Sequence, residues 1–155
     1  MSTYITKIVW KSDSPEAFTK NHYSRGHTWE FDGGITIPAS SSPQVVRVPF
    51  SVEAAIDPEE ALVAAASSCH MLTFLWLASK AGFVIDSYED NAQGSMAKDD
   101  DGKVWMSRIV LDPEIEFSGD LIPTAEDVAK LHHAAHEECP VAHSLKAAIE
   151  IAGLE

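Results

Sequence analysis

Two cysteines stand in different settings, and together they offer the chain's clearest chemistry. Cys69 ends the run Asp57-Pro58-Glu59-Glu60-Ala61-Leu62-Val63-Ala64-Ala65-Ala66-Ser67-Ser68-Cys69, deep inside an apolar stretch. Cys139 opens the segment Cys139-Pro140-Val141-Ala142-His143-Ser144-Leu145-Lys146. Only the thiolate is a good nucleophile, so a reactive cysteine needs something that lowers its pKa from about 8.5. Cys139 has one close by. Just before a proline at the first position of a helix, its sulfur meets unsatisfied backbone N–H groups and the positive end of the helix dipole, with His143 one turn on. Cys69 sits in mid-helix among alanines and serines, where burial alone would raise its pKa and leave it inert. Spacing by itself makes Cys69 a buried structural thiol unless a cation is brought to it. His70 changes this little, because neighbouring helical residues point about 100° apart. Glu59, ten residues before Cys69, could orient an imported guanidinium, or simply supply favourable first-turn charge. If the two thiols meet in space, they make a redox pair.

A competing constellation is His132, His136, Cys139 and His143. Their spacings of four, three and four put all four on one face of a continuous helix, and imidazole with thiolate suits zinc. Pro140 interrupts that continuity, and solvated helix histidines are the plainer reading. Asp99-Asp100-Asp101-Gly102 reads as a hairpin turn. A calcium loop would need a glutamate at its twelfth position, which holds Val110.

Positioning these residues requires a frame. Tyr4 to Trp10, Tyr23 to Phe31 and Val45 to Phe50 read as strands, broken at Gly33-Gly34 and Ser40-Ser41-Ser42-Pro43. A helix starts at Asp57-Pro58, with Asp57 as N-cap and Pro58 at the first position, runs to about Lys80 and stops at Gly82. Its apolar residues surround the axis, so burial on every side is expected, with a second subunit supplying part of the cover. Phe83 to Ala97 and Lys103 to Phe117 read as two long strands. Thr124-Ala125-Glu126-Asp127 begins a helix ending near Glu138, Pro140 restarts the chain as a short helix, and Ala147 to Ile151 forms a last strand. This order predicts an α+β sandwich, and residues 1–155 read as a single domain.

The chain carries 24 acidic against 11 basic residues, a formal charge of −13, which opposes nucleic acid and anionic membrane as partners. The long helix lacks flanking clusters of Lys and Arg, and Ser67, Ser68, His70 and Thr73 interrupt it, so it is expected in protein rather than in a bilayer. Met1 to Lys7 shows no secretory pattern, and a cytoplasmic location is expected. Two cysteines there are reduced, reactive or metal-bound more readily than a permanent staple.

The segments around both cysteines resemble the OsmC/Ohr family of thiol-dependent organic hydroperoxide reductases. Asp57-Pro58-Glu59-Glu60-Ala61 through Cys69 is similar to the family's Asn-Pro-Glu-Glu-Leu helix start leading to its first cysteine. Cys139-Pro140-Val141-Ala142, followed by Leu145-Lys146-Ala147, is similar to its Cys-Pro-Val-Ser segment. The resemblance implies antiparallel sheets packed on a long central helix in an intertwined homodimer. It also implies that Cys69 is the peroxidatic cysteine and Cys139 the resolving one, reversing the order that helix position suggests. Arg25, in Tyr23-Ser24-Arg25-Gly26-His27, best matches the family's activating arginine, with Arg47 as a rival. Glu59 would then hold Arg25 over Cys69. An organic hydroperoxide is the implied substrate and an external dithiol, lipoyl-type among the candidates, the reductant; no cofactor is implied. His70 and Glu137-Glu138 depart from the family pattern, and those carboxylates would tend to raise the Cys139 pKa. A non-catalytic stress or ligand-binding protein of the same fold, and a domain with a His/Cys metal site, are the alternatives.

Overall fold

A computed structural model describes residues 1–154 and divides the chain into two compact units, Met1–Ala61 and Leu62–Glu155. In the first unit, β1 (Thr6–Val9), β2 (His27–Phe31) and β3 (Thr36–Ala39) form an antiparallel sheet in that order, with Ile8 opposite Trp29 and Trp29 opposite Ile37. Gly33-Gly34 makes the turn between β2 and β3. Gly34 has φ +83, a left-handed conformation open to glycine at little cost. A short helix absent from the sequence reading, α1 (Pro15–Thr19), lies between β1 and β2. Ser14 caps it by accepting from the Ala17 N–H at 3.2 Å, and Pro15 takes the first position.

Two expected strands are corrected here. Strand β2 begins at His27 rather than Tyr23, because Tyr23 to Gly26 turns through side-chain bonds, Gly26 N–H donating to Ser24 Oγ at 3.1 Å. Val45 to Phe50 forms no strand. It is a pair of turns, closed by Val45 N–H to the Ser42 carbonyl and Phe50 N–H to the Arg47 carbonyl, both at 3.0 Å. Pro43 and Pro49 bring no N–H to a ladder, so β-branched residues alone could not carry the segment into a sheet.

Helix α2 (Pro58–Lys80) crosses the boundary between the units with the expected limits. Its start is a reciprocal cap: Glu60 N–H donates to Asp57 Oδ1 at 2.8 Å, and Asp57 N–H to Glu60 Oε2 at 3.2 Å. Its end is Gly82, at φ +84, followed by Phe83 N–H donating back to the Ala78 carbonyl at 3.0 Å. Length and composition would let this helix cross a membrane, yet Ala66, His70, Phe74 and Ala78, spaced four apart, are buried in protein. All-round burial is not seen in the single chain: Leu72 and Trp76 are 60% and 52% exposed.

In the second unit the two expected long strands are four. The first breaks at Asn91-Ala92 into β4 (Val84–Asp90) and β5 (Gln93–Lys98), the second at Asp112 into β6 (Val104–Leu111) and β7 (Pro113–Ser118). The halves pair crosswise: β4 with β7 in one antiparallel sheet, β5 with β6 through the expected Asp99–Gly102 hairpin turn in another. Asp90 splits them by accepting the Asp112 N–H on Oδ1 at 2.7 Å. Next comes α3 (Ala125–Glu138), opened by a capping box between Thr124 and Asp127, and then α4 (Pro140–Ser144). Strand β8 (Ala148–Ile151) lies parallel to β6, and the sheet order is β5-β6-β8.

Two apolar clusters hold the second unit together. Ala66, Ile109 and Leu111 pack with Val63, Met106, Val141 and Ile149, and Phe74, Ala78 and Ala135 pack with Leu77, Val128 and Leu131. Each draws one turn of α2 against its neighbours. Close approach at the first depends on Gly94 of β5, where an added Cβ would stand 2.5 Å from Val63 Cγ2 and 2.8 Å from Met106 Sδ. Gly94→Ala is therefore expected to destabilise the fold by about 1–3 kcal/mol, as overpacked cores do, measured by urea unfolding.

Candidate active site

The backbone brings Cys69 and Cys139 together from positions 70 residues apart. Cys69 projects from the middle of α2, and Cys139 occupies the corner between α3 and α4. Pro140 creates that corner, since it cannot continue α3 but starts α4 without strain. The two sulfurs lie 2.6 Å apart as free thiols, Cys69 half-buried and Cys139 buried.

Cys139 also caps α4. Its Sγ accepts the Ala142 N–H at 3.4 Å, and its carbonyl accepts the His143 N–H at 3.2 Å. The expected lowering of its pKa by the helix start is overturned. Burial pushes the thiol up, the adjacent Cys69 sulfur pushes it further, and the backbone N–H contacts offset only part of this. Burial, and not Glu137 or Glu138, dominates the shift.

Arg25 and Glu59 both belong to the first unit. The Arg25 guanidinium stacks over the Tyr23 ring at 3.9 Å and donates to the Tyr23 carbonyl at 2.6 Å, the Asn21 carbonyl at 3.3 Å and Asn21 Oδ1 at 2.5 Å. No ion pair joins Arg25 to Glu59 among the described residues, so the expected clamp is replaced by neutral acceptors from the loop that carries the arginine. Arg25 shares the lining of a cavity of about 370 Å³ with Trp10, Phe18, Tyr23, His27 and Ser41. Glu59 is half-buried in the first turn of α2. The rival Arg47 is exposed beside the Phe50 ring.

The metal constellation is not assembled. Among the described residues no group of three or more His, Cys, Asp or Glu side chains is disposed to hold an ion. His132 turns to His70, and His143 Nε2 bonds to the Glu137 carbonyl.

Sequence reasoning missed what His70 and His132 do. His70 Nε2 and His132 Nδ1 share a hydrogen bond of 2.9 Å between α2 and α3, the rings are parallel within 8°, and Phe74 lies 4.4 Å from the His132 ring. Both histidines are buried. Each pKa is lowered from 6.5 to about 4, chiefly by burial; His136 adds to the lowering at His70 and His70 to that at His132, and Asp90 opposes both. Asp90 itself accepts a hydrogen bond from Ser67 on α2. The only signal for the pair was helical phase, since a residue 62 positions away cannot be inferred from local spacing.

Comparison with known proteins fits this geometry. A family model described as OsmC-like protein matches residues 51–152, and the chain belongs to that family. An OsmC-like protein of unknown function from Vibrio cholerae is 51% identical, with a TM-score of 0.94 over 97% of this chain and 98% of that one. The fold is shared with an organic hydroperoxide resistance protein from Elizabethkingia anophelis, at 15% identity and TM-score 0.66 over 97% and 94% of the two chains. It is also shared with an organic hydroperoxide resistance protein OsmC from Legionella pneumophila, at 13% identity and TM-score 0.62 over 97% and 98%. No curated protein matches.

The sign of the histidine effect is fixed by its direction. Unfolded histidines take up protons below about 6.5 and the buried pair only near 4, so the unfolded state binds more protons between those values. The pair's contribution to stability is fully present above pH 6.5 and is lost as pH falls towards 4. Urea unfolding across this window is expected to show stability decreasing with acid, and His132→Phe, which removes one of the two linked protons, to lose about half of that histidine-dependent slope.

Proposed function

We propose that this protein is a cofactor-free, two-cysteine peroxidase that reduces organic hydroperoxides to alcohols. The observation that carries the reading is the 2.6 Å approach of the Cys69 and Cys139 sulfurs. The Cys69 thiolate attacks the distal oxygen of R–O–OH; the O–O bond breaks, the alkoxide leaves and takes a proton as R–OH, and Cys69 becomes a sulfenic acid. Cys139 then attacks the Cys69 sulfur and releases water, giving a disulfide. An external dithiol returns two electrons and two protons to restore both thiols.

The order of roles is supported by the setting of each sulfur. Cys69 is the more accessible, whereas Cys139 is buried and its thiol is held in the protonated form by burial, as suits a residue that acts second. Arg25 is assigned the stabilisation of the Cys69 thiolate and of charge developing on the peroxide oxygens, as the family resemblance implies. Among the described residues its hydrogen-bond acceptors are neutral groups of its own loop. Glu59, which makes no ion pair with Arg25 among the described residues, is assigned the favourable first-turn charge of α2. The exposed Leu72 and Trp76 on α2 support a homodimer in which a second copy covers this face. A cytoplasmic location, where a dithiol reductant is plentiful, completes the reading.

Cys69→Ser is expected to abolish peroxide-dependent thiol turnover. Cys139→Ser is expected to retain the first step only and accumulate a Cys69 sulfenic acid trapped by dimedone, read by peptide mass spectrometry. Retained turnover in Cys69→Ser contradicts the assignment.

A further inference from the structure

We infer that the His70–His132 hydrogen bond is a positioning pin that holds Cys69 and Cys139 at bonding range. The inference rests on the proposed redox pairing of those two cysteines. His70 directly follows Cys69 on α2, and His132 precedes Cys139 by seven residues on α3. Seven residues are close to two helical turns, so His132 and the corner at Cys139 share one face of α3, about 10.5 Å apart along the axis. One bond of 2.9 Å between the imidazoles thus fixes how far α3 has slid along α2, beside the very residue whose sulfur must meet Cys139.

The surroundings leave this task to the histidines. Beside the pair, Phe74 and Ala78 of α2 and Ala135 and Leu131 of α3 belong to one apolar cluster. Apolar packing is non-directional and tolerates small slides, whereas a buried hydrogen bond is lost when its partners part, and an unpaired buried nitrogen is costly. A slip of one turn is about 5.4 Å, enough to take the sulfurs from 2.6 Å to well beyond contact. Parallel rings and the Phe74 face further restrict the two imidazoles to one arrangement. Asp90 on β4 and His136 on α3 are the other titratable groups acting on the pair. Asp90 is occupied by Ser67 and the Asp112 N–H, which braces α2 from its strand side without replacing the bond.

The test measures the equilibrium between the reduced protein and its Cys69–Cys139 disulfide in mixtures of reduced and oxidised dithiothreitol at pH 7. Two protein thiols and one oxidised reagent give one protein disulfide and one reduced reagent. His132→Leu is expected to lower this equilibrium constant at least tenfold, a rise of about 30 mV in reduction potential. His132→Asn, whose amide reproduces the Nδ1 position, is expected to stay within about threefold of wild type, as is Leu131→Ala, which opens a cavity in the same interface but spares the bond. An unchanged constant in His132→Leu overturns the inference, and so does an equal fall in all three variants, which would make the histidines ordinary packing. Absence of a Cys69–Cys139 disulfide in the wild type overturns it as well. No peroxide enters the measurement, so a protein that fails as a peroxidase still reports on the pin.

Discussion

Everything proposed for this chain depends on a single steric constraint: a sulfur in the middle of a 23-residue helix must meet a sulfur at a corner between two others. A mid-helix side chain has no freedom to seek a partner, because its backbone is fixed by hydrogen bonds on both sides. The partner must be delivered to it. Pro140 ends α3 just after Cys139, the apolar clusters seat α2 among its neighbours, and Gly94 lets β5 come close enough for one of them to form. The two sulfurs are thereby placed by packing rather than by a covalent link, which is what a reversible thiol pair requires.

The same packing gives the two thiols different settings. Burial at the corner raises the Cys139 pKa despite the helix start beneath it. Cys69 keeps partial access to solvent. His70, which follows Cys69 on α2, is buried and hydrogen-bonds to the buried His132 of α3, a directional contact beside an apolar cluster.

Features written in local chemistry were legible in the sequence. Asp57, Pro58 and Gly82 announced both ends of α2, Thr124 and Asp127 the start of α3, and Asp99–Gly102 a hairpin, because caps and turns need particular side chains at particular places. The cysteine motifs carried the family. Features set by distant partners were not legible. The exchange that pairs β4 with β7 and β5 with β6 turns on Asp90 reaching the Asp112 N–H, and periodicity cannot reveal it. His132 looked like one of four metal ligands on a helix face, yet its partner lies on α2. Arg25 was picked out by its sequence context, while the neutral loop groups that hold it, Asn21 and Tyr23, had no pattern to mark them.

The central claim is that Cys69 and Cys139 act as one redox unit. One equivalent of an organic hydroperoxide added to the reduced protein, followed by blocking of remaining thiols and non-reducing peptide mass spectrometry, tests it most directly. The account predicts rapid formation of a Cys69–Cys139 disulfide. Two intact, freely alkylated thiols would contradict it and return the chain to a binding role on the same fold.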